Sequence, residues 1–422
     1  MIQESPGVNS GLARKPDSLR TWRKSVIEGG FLPVIVVAGS RGKSTVSNLV
    51  QHMIGDQYRI GRRSQDGVDI LGIRQQGEIE PWNRVETMLR SGDLDVAIWE
   101  LDWATASTLP ESARHAVVAL TNVCANREAC FIYGDAKIAM RSLPGIVNTL
   151  EDGGVLILNG EDQAVADLGD GREHTSIMAG LGVDSPAIGA HWQAGGVCAW
   201  VESDHLCIGH RQAPLRLLRT DELSFALNGV AGFEVHNALV ASAIAYAIGL
   251  RSSAIAAALR SFRSDYWRMP GSFNIMYASG VPIIIDRPAP SWFLRPVVRA
   301  LRDFRQARLL TVVGRFDDVP EEDLGEVGRL LGRVSSAVLI ATGRSTDGYP
   351  WELLRDGAMR NEVPPVVLPF ATEHAAFRKA QAMARAADTI YLLSESPEQL
   401  HHFWPTRGKA DSGASAGSSA AL

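Results

Sequence analysis

The chain has 422 residues, enough for about two or three domains of typical size, each with a buried core. Its 42 basic and 47 acidic side chains give a net charge of −5, so no general positive field favours nucleic acid. No apolar run approaches the roughly 20 residues of a membrane-spanning helix, and the N-terminus lacks the apolar core of a signal peptide. The four cysteines form no CxxC pair, which favours a reducing, cytoplasmic location.

The first half of the chain has the pattern of an α/β domain. An N-terminal arm and one short helix are predicted for residues 1–30. The run 32–38 (LPVIVVA) is continuously apolar and β-branched, as in a strand covered on both faces, and helical spacing follows a glycine turn. Similar apolar runs recur at Val96–Trp99, Ala116–Leu120 and Val155–Leu158. This rhythm predicts a mostly parallel sheet.

Beyond residue 185 the pattern changes twice. Residues 186–235 predict short antiparallel strands or hairpins, followed by two alanine-rich helices, Asn237–Ile248 and Ser253–Phe262. Pro270 and Gly271 then interrupt the helical periodicity, which indicates a domain boundary. A second α/β series follows, with strands predicted at Pro282–Ile285, Arg308–Val313, Ala337–Ala341, Val366–Pro369 and Thr389–Leu393. We therefore expect a central domain at 31–265, a Rossmann-like domain at 266–407 and a disordered tail at 408–422.

The strongest local signal lies between the first strand and its helix. It consists of Gly39, Ser40, Arg41, Gly42, Lys43, Ser44 and Thr45. Glycines let the backbone approach phosphates, the helix N-terminus favours anionic oxygens, and Lys43 adds a positive charge. The hydroxyl of Ser44 or Thr45 suits Mg²⁺. The longer GxxxxGK(S/T) pattern would need glycine at Val37, so the shorter form is present. A glycine-rich turn with a solvated lysine is the structural alternative.

Four further polar residues are candidates for the same chemistry. Glu100 ends a predicted strand, where a carboxylate can hold Mg²⁺ directly or through water, or can be a surface acid. Asn122 follows the next strand and is either a crevice residue or a turn residue. Asn237 is either a helix cap or a ligand contact. Asp286 ends the first strand of the second domain, at the edge where doubly wound sheets bind nucleotides, or simply caps a turn.

Several of these motifs resemble those of the Mur ligase superfamily of ATP-dependent amide-bond-forming ligases. The resemblance spans roughly residues 32–395. GSRGKST is similar to the family's GT(N/R)GK(S/T)(S/T) loop, WE at Trp99 and Glu100 to its metal-binding glutamate, and LTNV to its TNV strand end. VHNALVASAIAYAIGL resembles the helix whose asparagine, here Asn237, approaches the nucleotide. Arg41 makes the loop most like that of poly-γ-glutamate synthase, and the segments around Ser272 and Asp286 are most similar to the ligase part of cyanophycin synthetase.

The resemblance implies a central P-loop domain, a C-terminal Rossmann-like domain and ATP with Mg²⁺ as cofactors. A carboxylate would be phosphorylated by ATP and then attacked by an amino acid amine, with release of ADP and phosphate. Lys43, Ser44 and Glu100 would hold Mg-ATP, Asn237 and Asp286 the nucleoside, and Arg127 would orient a carboxylate. The acceptor would be a small molecule or a peptide polymer. A membrane-protein partner follows if poly-γ-glutamate synthase is the closer relative.

At several positions of the family motifs, this chain has a different residue. Asn126, Arg127 and Glu128 stand where the family has DHLD, and Ser272 replaces the arginine of PGRFN. Ala289-Pro290-Ser291 replaces AHNP. The alternative function is therefore a catalytically degenerate scaffold or regulatory protein that binds ATP without transferring phosphate. A P-loop kinase is a weaker third hypothesis, because it leaves the C-terminal domain unexplained.

Overall fold

The computed structural model describes residues 19–55, 57–64, 67–75, 81–110, 112–123, 135–169, 175–264, 266–305, 307–317, 319–343 and 348–403. The chain divides between Arg263 and Ser264 into two compact units, and each unit contains its own β-sheet. The predicted tail at 408–422 and the predicted arm before residue 19 lie outside the described residues.

The described strands and helices of the first unit are numbered in chain order. The strands are β1 (Val34–Ala38), β2 (Ile60–Ser64), β3 (Gly67–Ile70), β4 (Ile73–Arg74), β5 (Val96–Leu101), β6 (His115–Leu120), β7 (Leu150–Asn159), β8 (Thr175–Ala179), β9 (Val197–Glu202), β10 (His205–His210) and β11 (Ala213–Arg219). The helices are α1 (Leu19–Glu28), α2 (Lys43–Ile54), α3 (Pro81–Ser91), α4 (Trp103–Ala106), α5 (Asp135–Asn148), α6 (Gln163–Ala166), α7 (Pro186–Gln193), α8 (Gly232–Ala247) and α9 (Ser252–Ser261).

The first sheet has the order β11-β10-β9-β8-β7-β6-β1-β5-β2-β3-β4. Neighbouring strands from β9 through β2 run parallel, whereas antiparallel pairs form both edges. The mostly parallel sheet predicted from the apolar runs is confirmed. Strand β1 lies between β5 and β6 and is buried at all of its positions. Its β-branched side chains therefore face apolar layers on both sides of the sheet.

Packing around β1 fixes the segment that follows it. Val34, Val36 and Ala38 belong to a cluster that also contains Trp99 and Leu120. Ile35 and Val37, which point to the opposite face, are also fully buried, and α8 packs against α2. Burying each Val or Ile contributes about 1.5–3 kcal/mol. The end of β1 is therefore a rigid base for the glycine-bearing loop.

Two parts of the first unit differ from the prediction. Residues 186–193, expected as strand or hairpin, form helix α7, because Pro186 is favourable at the first helical position. The predicted antiparallel pairing is found between β9, β10 and β11. On its other side, β9 pairs in parallel with β8. The strands β2–β4 and helix α3 were not predicted. Their polar residues obscure the apolar periodicity.

The second unit is a smaller α/β unit. Its described strands are β12 (Asn274–Ala278), β13 (Val281–Asp286), β14 (Leu309–Val313), β15 (Ala337–Ala341), β16 (Val366–Phe370) and β17 (Thr389–Leu393). Its helices are α10 (Ser291–Phe304), α11 (Glu321–Val334), α12 (Trp351–Met359) and α13 (Glu373–Met383). The sheet order is β12-β13-β17-β14-β15-β16, with β12 antiparallel to β13 and the other pairs parallel.

The α/β fold with a second sheet is as expected. Strand β12 was not predicted, since it follows directly on the turn at Pro270 and Gly271. Among the residues that the structure describes, no helix is both long enough and apolar enough to cross a bilayer.

Candidate functional site

The loop between β1 and α2 is shaped by two glycines. Gly39 and Gly42 have φ angles of 147° and 85°, a region that L side chains rarely adopt. A Cβ atom on Gly39 would lie 1.9 Å from Thr121 Oγ1, and one on Gly42 would lie 2.4 Å from Asn237 Oδ1. Both positions therefore need glycine for conformation and for space. Gly42 also precedes the first residue of α2, so backbone N–H groups at the helix N-terminus face the loop.

Lys43 is the cation of this loop. Its Nζ donates a hydrogen bond of 2.8 Å to the carbonyl oxygen of Gly39, so the side chain folds back along the loop. Burial lowers the pKa of Lys43 from its ordinary value, and the negative charges of Glu100 and Asp102 oppose that shift. The ammonium group therefore lies in a low-dielectric pocket beside two carboxylates, where its attraction for anions is stronger than in water.

Ser44 and Glu100 meet at the start of α2. Ser44 Oγ donates a hydrogen bond of 2.6 Å to Glu100 Oε2, and the Glu100 side chain is fully buried near the end of β5. A hydroxyl and a carboxylate in contact are hard oxygen ligands of the type that Mg²⁺ prefers. Within the described residues, no group of three or more His, Cys, Asp and Glu side chains could hold a metal ion. The contact of Ser44 with Glu100 fits a Mg²⁺ ion that would take its other ligands from phosphates and water.

Glu100 also has a cationic neighbour. Arg62, on strand β2, donates a hydrogen bond of 3.1 Å from Nε to Glu100 Oε1, and its Nη2 contacts the same oxygen. The guanidinium also donates to Asn48 Oδ1 at 2.8 Å. One carboxylate oxygen of Glu100 therefore faces Arg62 and the other faces Ser44.

Residues at the end of β6 hold the loop from the other side. The Asn122 amide accepts a hydrogen bond from Arg41 N at 3.2 Å and donates one to Arg41 O at 3.1 Å. Thr121 Oγ1 donates to the same Arg41 carbonyl at 2.6 Å. Ser40 Oγ contacts the carbonyl of Val123. In this structure Asn122 therefore orients the loop backbone, and its use for a nucleotide stays a prediction.

Asn237 lies on α8 and is buried against the loop. Its Nδ2 donates a hydrogen bond of 3.1 Å to Glu234 Oε2, and its Oδ1 faces Gly42. It lies in the second turn of α8 and does not cap the helix, which begins at Gly232. Burial lowers the pKa of the adjacent His236 to about 4, so this imidazole is neutral at pH 7 and adds no charge to the site.

Asp286 ends β13 in the second unit. The side chain is buried, accepts a hydrogen bond of 3.0 Å from Arg287 N and lies 3.5 Å from Tyr391 Oη. Its position at the carboxyl end of a parallel strand matches the sequence expectation. Contact of Asp286 with a nucleoside stays a prediction. Arg127, the third predicted catalytic residue, and Glu128 lie outside the described residues.

Sequence comparisons identify ligases among the relatives of this chain. No family model matches the chain. A cyanophycin synthetase from Nostoc sp. is 24% identical over 395 residues, which cover 90% of this chain and 43% of that protein. A UDP-N-acetylmuramoyl-L-alanyl-D-glutamate--2,6-diaminopimelate ligase from Aquifex aeolicus is 24% identical over 191 residues, 44% of this chain and 38% of the ligase. The chain spans less than half the length of both relatives.

A solved structure has the same fold. The bifunctional folylpolyglutamate synthase/dihydrofolate synthase from Yersinia pestis, complexed with AMPPNP and Mn ion, aligns with a TM-score of 0.62 at 16% identity. The alignment covers 94% of this chain and 95% of that one. The resemblance of the chain to the Mur ligase superfamily is therefore confirmed.

The site contains three residues that were not predicted. Arg62 pairs with Glu100, Asp102 caps α4 by accepting a hydrogen bond from Thr105 N at 2.7 Å, and Trp103 Nε1 donates to Ser40 Oγ at 3.0 Å. The alternation of acids at 100 and 102 was the available signal for Asp102. No sequence signal pointed to Arg62, because its contact with Glu100 depends on the pairing of β2 with β5.

Proposed function

We propose that the chain binds Mg-ATP at the loop 39–45 and uses it to join an amine to a carboxylate as an amide. The observation that carries this proposal is the arrangement of Lys43, Ser44 and Glu100 around one glycine-shaped loop–helix junction. A buried cation, a hydroxyl and a carboxylate at a helix N-terminus together suit a triphosphate and its metal. The complex of the Yersinia pestis enzyme with AMPPNP and Mn ion supports the same assignment.

The proposed reaction has two steps. A carboxylate oxygen attacks the γ-phosphorus of ATP, and the bond from this phosphorus to the bridging oxygen breaks. ADP departs, and the substrate carboxylate has become an acyl phosphate. An amine nitrogen then attacks the acyl carbon, phosphate departs, and the nitrogen loses a proton. Lys43 would exchange its contact with the Gly39 carbonyl for a phosphate oxygen and stabilise charge on the transferred group. Mg²⁺, held by Ser44 and Glu100, would supply further charge neutralisation.

The substrates follow from the same proposal. The amine is that of an amino acid, and the acceptor is a small carboxylic acid or the end of a peptide polymer. Asn237 is the proposed nucleoside contact of the first unit, because its buried amide lies against Gly42. Asp286 and Arg127 keep their predicted roles toward the nucleoside and the carboxylate.

The binding step can be tested by calorimetric titration of the full chain with Mg-ATP. Lys43→Ala removes the loop cation, and we expect it to abolish measurable binding. Lys24→Ala, at an exposed lysine of α1, is the matched control and should bind as the wild type does. Absence of binding in the wild type contradicts the proposal. Phosphate release that requires both an amine and a carboxylate then tests the ligase reaction.

A degenerate ATP-binding scaffold is the second candidate. The contact of Arg62 with the proposed metal-binding carboxylate favours it, because this cation takes one of the two carboxylate oxygens. Under this alternative, Mg-ATP still binds and Lys43→Ala still abolishes binding. No combination of amino acid and carboxylate then releases phosphate. Phosphate release therefore separates the two candidates.

A further inference from the structure

The pair formed by Arg62 and Glu100 is buried inside the first unit. The exposed fraction of the side chain is 11% for Arg62 and zero for Glu100. The Coulomb attraction between two charges grows when they are removed from water, although desolvation offsets the gain, and removal of one partner leaves an uncompensated buried charge. Arg62 is therefore the principal counter-ion of Glu100 in the protein without ligands.

A second contact holds the guanidinium in place. Arg62 Nη1 donates to Asn48 Oδ1 at 2.8 Å, and Asn48 Nδ2 donates to the carbonyl oxygen of Ser44 at 2.7 Å. Asn48 thus connects the guanidinium to the first turn of α2, where Ser44 contacts the other oxygen of Glu100. Because guanidinium donors have a fixed planar geometry, these contacts fix the direction from which Arg62 approaches the carboxylate.

The adjacent arginine shows that this placement is specific to one face of β2. Arg63 does not share this contact; its guanidinium lies over the Trp99 ring, 5.0 Å from the ring centre. Side chains of consecutive strand residues point to opposite faces. Arg62 and Arg63 therefore carry the same charge on the same strand, but Arg62 is the one that pairs with the Glu100 carboxylate.

We infer that Arg62 competes with the divalent cation for Glu100 and sets the metal affinity of the site. The inference rests on the proposed function, in which Ser44 and Glu100 hold Mg²⁺. A metal ion that ligates Glu100 must share the carboxylate with a cation already in contact with Oε1, and like charges at this distance repel in a low-dielectric environment. The ion therefore binds weakly to the free protein and arrives with the phosphates, whose negative charge offsets Arg62.

The inference is tested by titrating the nucleotide-free full chain with Mn²⁺ and measuring free Mn²⁺ by electron paramagnetic resonance. Arg62→Met removes the charge but keeps much of the apolar stem. We expect it to tighten Mn²⁺ binding at least tenfold relative to the wild type. Arg63→Met is the matched control and should leave the affinity unchanged. Glu100→Gln in the Arg62→Met background should remove the gain, since the metal then loses its carboxylate ligand.

Arg62→Gln covers the case in which Arg62→Met does not fold, because the amide can still donate hydrogen bonds without a charge. Folding of each variant is checked by circular dichroism. A folded Arg62 variant that binds Mn²⁺ no more tightly than the wild type overturns the inference, and so does an equal gain in Arg63→Met. The titration contains no nucleotide, so its result does not depend on ATP binding. Failure of the wild type to bind Mg-ATP overturns the proposed function alone.

Discussion

Gly42 and Gly30 have nearly the same φ angle in different surroundings. Their φ angles are 85° and 86°. A Cβ on Gly42 would lie 2.4 Å from Asn237 Oδ1, whereas a Cβ on Gly30 would have no heavy atom within 4 Å. Alanine therefore meets an unfavourable positive φ at both positions and a steric clash at Gly42 alone.

Alanine variants at Gly42 and Gly30 therefore separate the steric cost of a side chain from the cost of its backbone conformation. We expect Gly30→Ala to lower the free energy of unfolding by about 1 kcal/mol, the cost of a left-handed alanine. Gly42→Ala should lower it by a further ~1–3 kcal/mol, because Asn237 must move, and should weaken Mg-ATP binding. Urea denaturation measures the first effect and calorimetric titration the second. Equal losses of stability in the two variants would show that Asn237 does not restrict this position.

Glu151 is the residue whose ionisation should affect stability near neutral pH. It is buried at the start of β7, and burial raises the pKa of its carboxyl from 4.5 to about 7. Between these values the folded chain keeps a proton that the unfolded chain releases. Stability is therefore fully present at acid pH and is lost as the pH rises through 7.

Glu151→Gln removes this titration. At pH 8 we expect the variant to be more stable than the wild type by about 1 kcal/mol, after allowance for solvent screening, and at pH 4.5 the difference should vanish. Glu202→Gln, at the exposed end of β9, should follow the wild type throughout. Unfolding free energies measured from pH 4.5 to 8 test this, and a Glu151→Gln curve parallel to that of the wild type would contradict it.

At the scale of elements, α11 and α12 pack through glycines. A Cβ on Gly328 would lie 2.0 Å from the carbonyl oxygen of Leu354, and one on Gly357 would lie 2.0 Å from the carbonyl oxygen of Gly325. The backbones of the two helices therefore approach more closely than any larger side chain allows. A Cβ on Gly325 itself would meet no heavy atom within 4 Å.

Gly328→Ala should separate α11 from α12 and lower the free energy of unfolding by about 1–3 kcal/mol, the usual cost of overpacking. Gly325→Ala, on the same helix, should raise it by up to about 1 kcal/mol, because alanine is the better helix former. Thermal unfolding of the full chain measures both variants. Two variants of equal stability would show that the helices can move apart without cost.

Elements with continuous β-branched runs could be predicted from the sequence, and elements with charged strands could not. Strand β1 and its loop followed directly from LPVIVVA and the glycines. Strand β2 carries Arg62 and Arg63, so its apolar signal is weak. The partner of Arg62 follows from the sheet order, which places β2 beside β5. Sequence spacing alone contains no information about that neighbour, whereas the local loop motif carries its own geometry.

At the scale of the whole molecule, each unit has its own apolar cluster. We therefore expect two transitions in a calorimetric scan of the full chain. Mg-ATP should raise the transition of the unit that contains the loop, because a ligand that binds only the folded state stabilises it by about 2.7 kcal/mol at a hundred times its dissociation constant. Lys43→Ala is the control that should not respond. A single transition would contradict the independence of the two units.

Strand β1 has a further consequence for synthesis of the chain. Val34 pairs with Ala97 and Ile35 pairs with Val117, so both neighbours of β1 are translated later than β1 itself. On the ribosome, five consecutive apolar residues (Val34–Ala38) have no strand to pair with until Leu101 has emerged, and they lack their second neighbour until Leu120 has emerged. Such segments attract chaperones and aggregate when exposed. Nascent chains halted before that point should be cleaved rapidly by protease in the first hundred residues, and longer ones should become resistant.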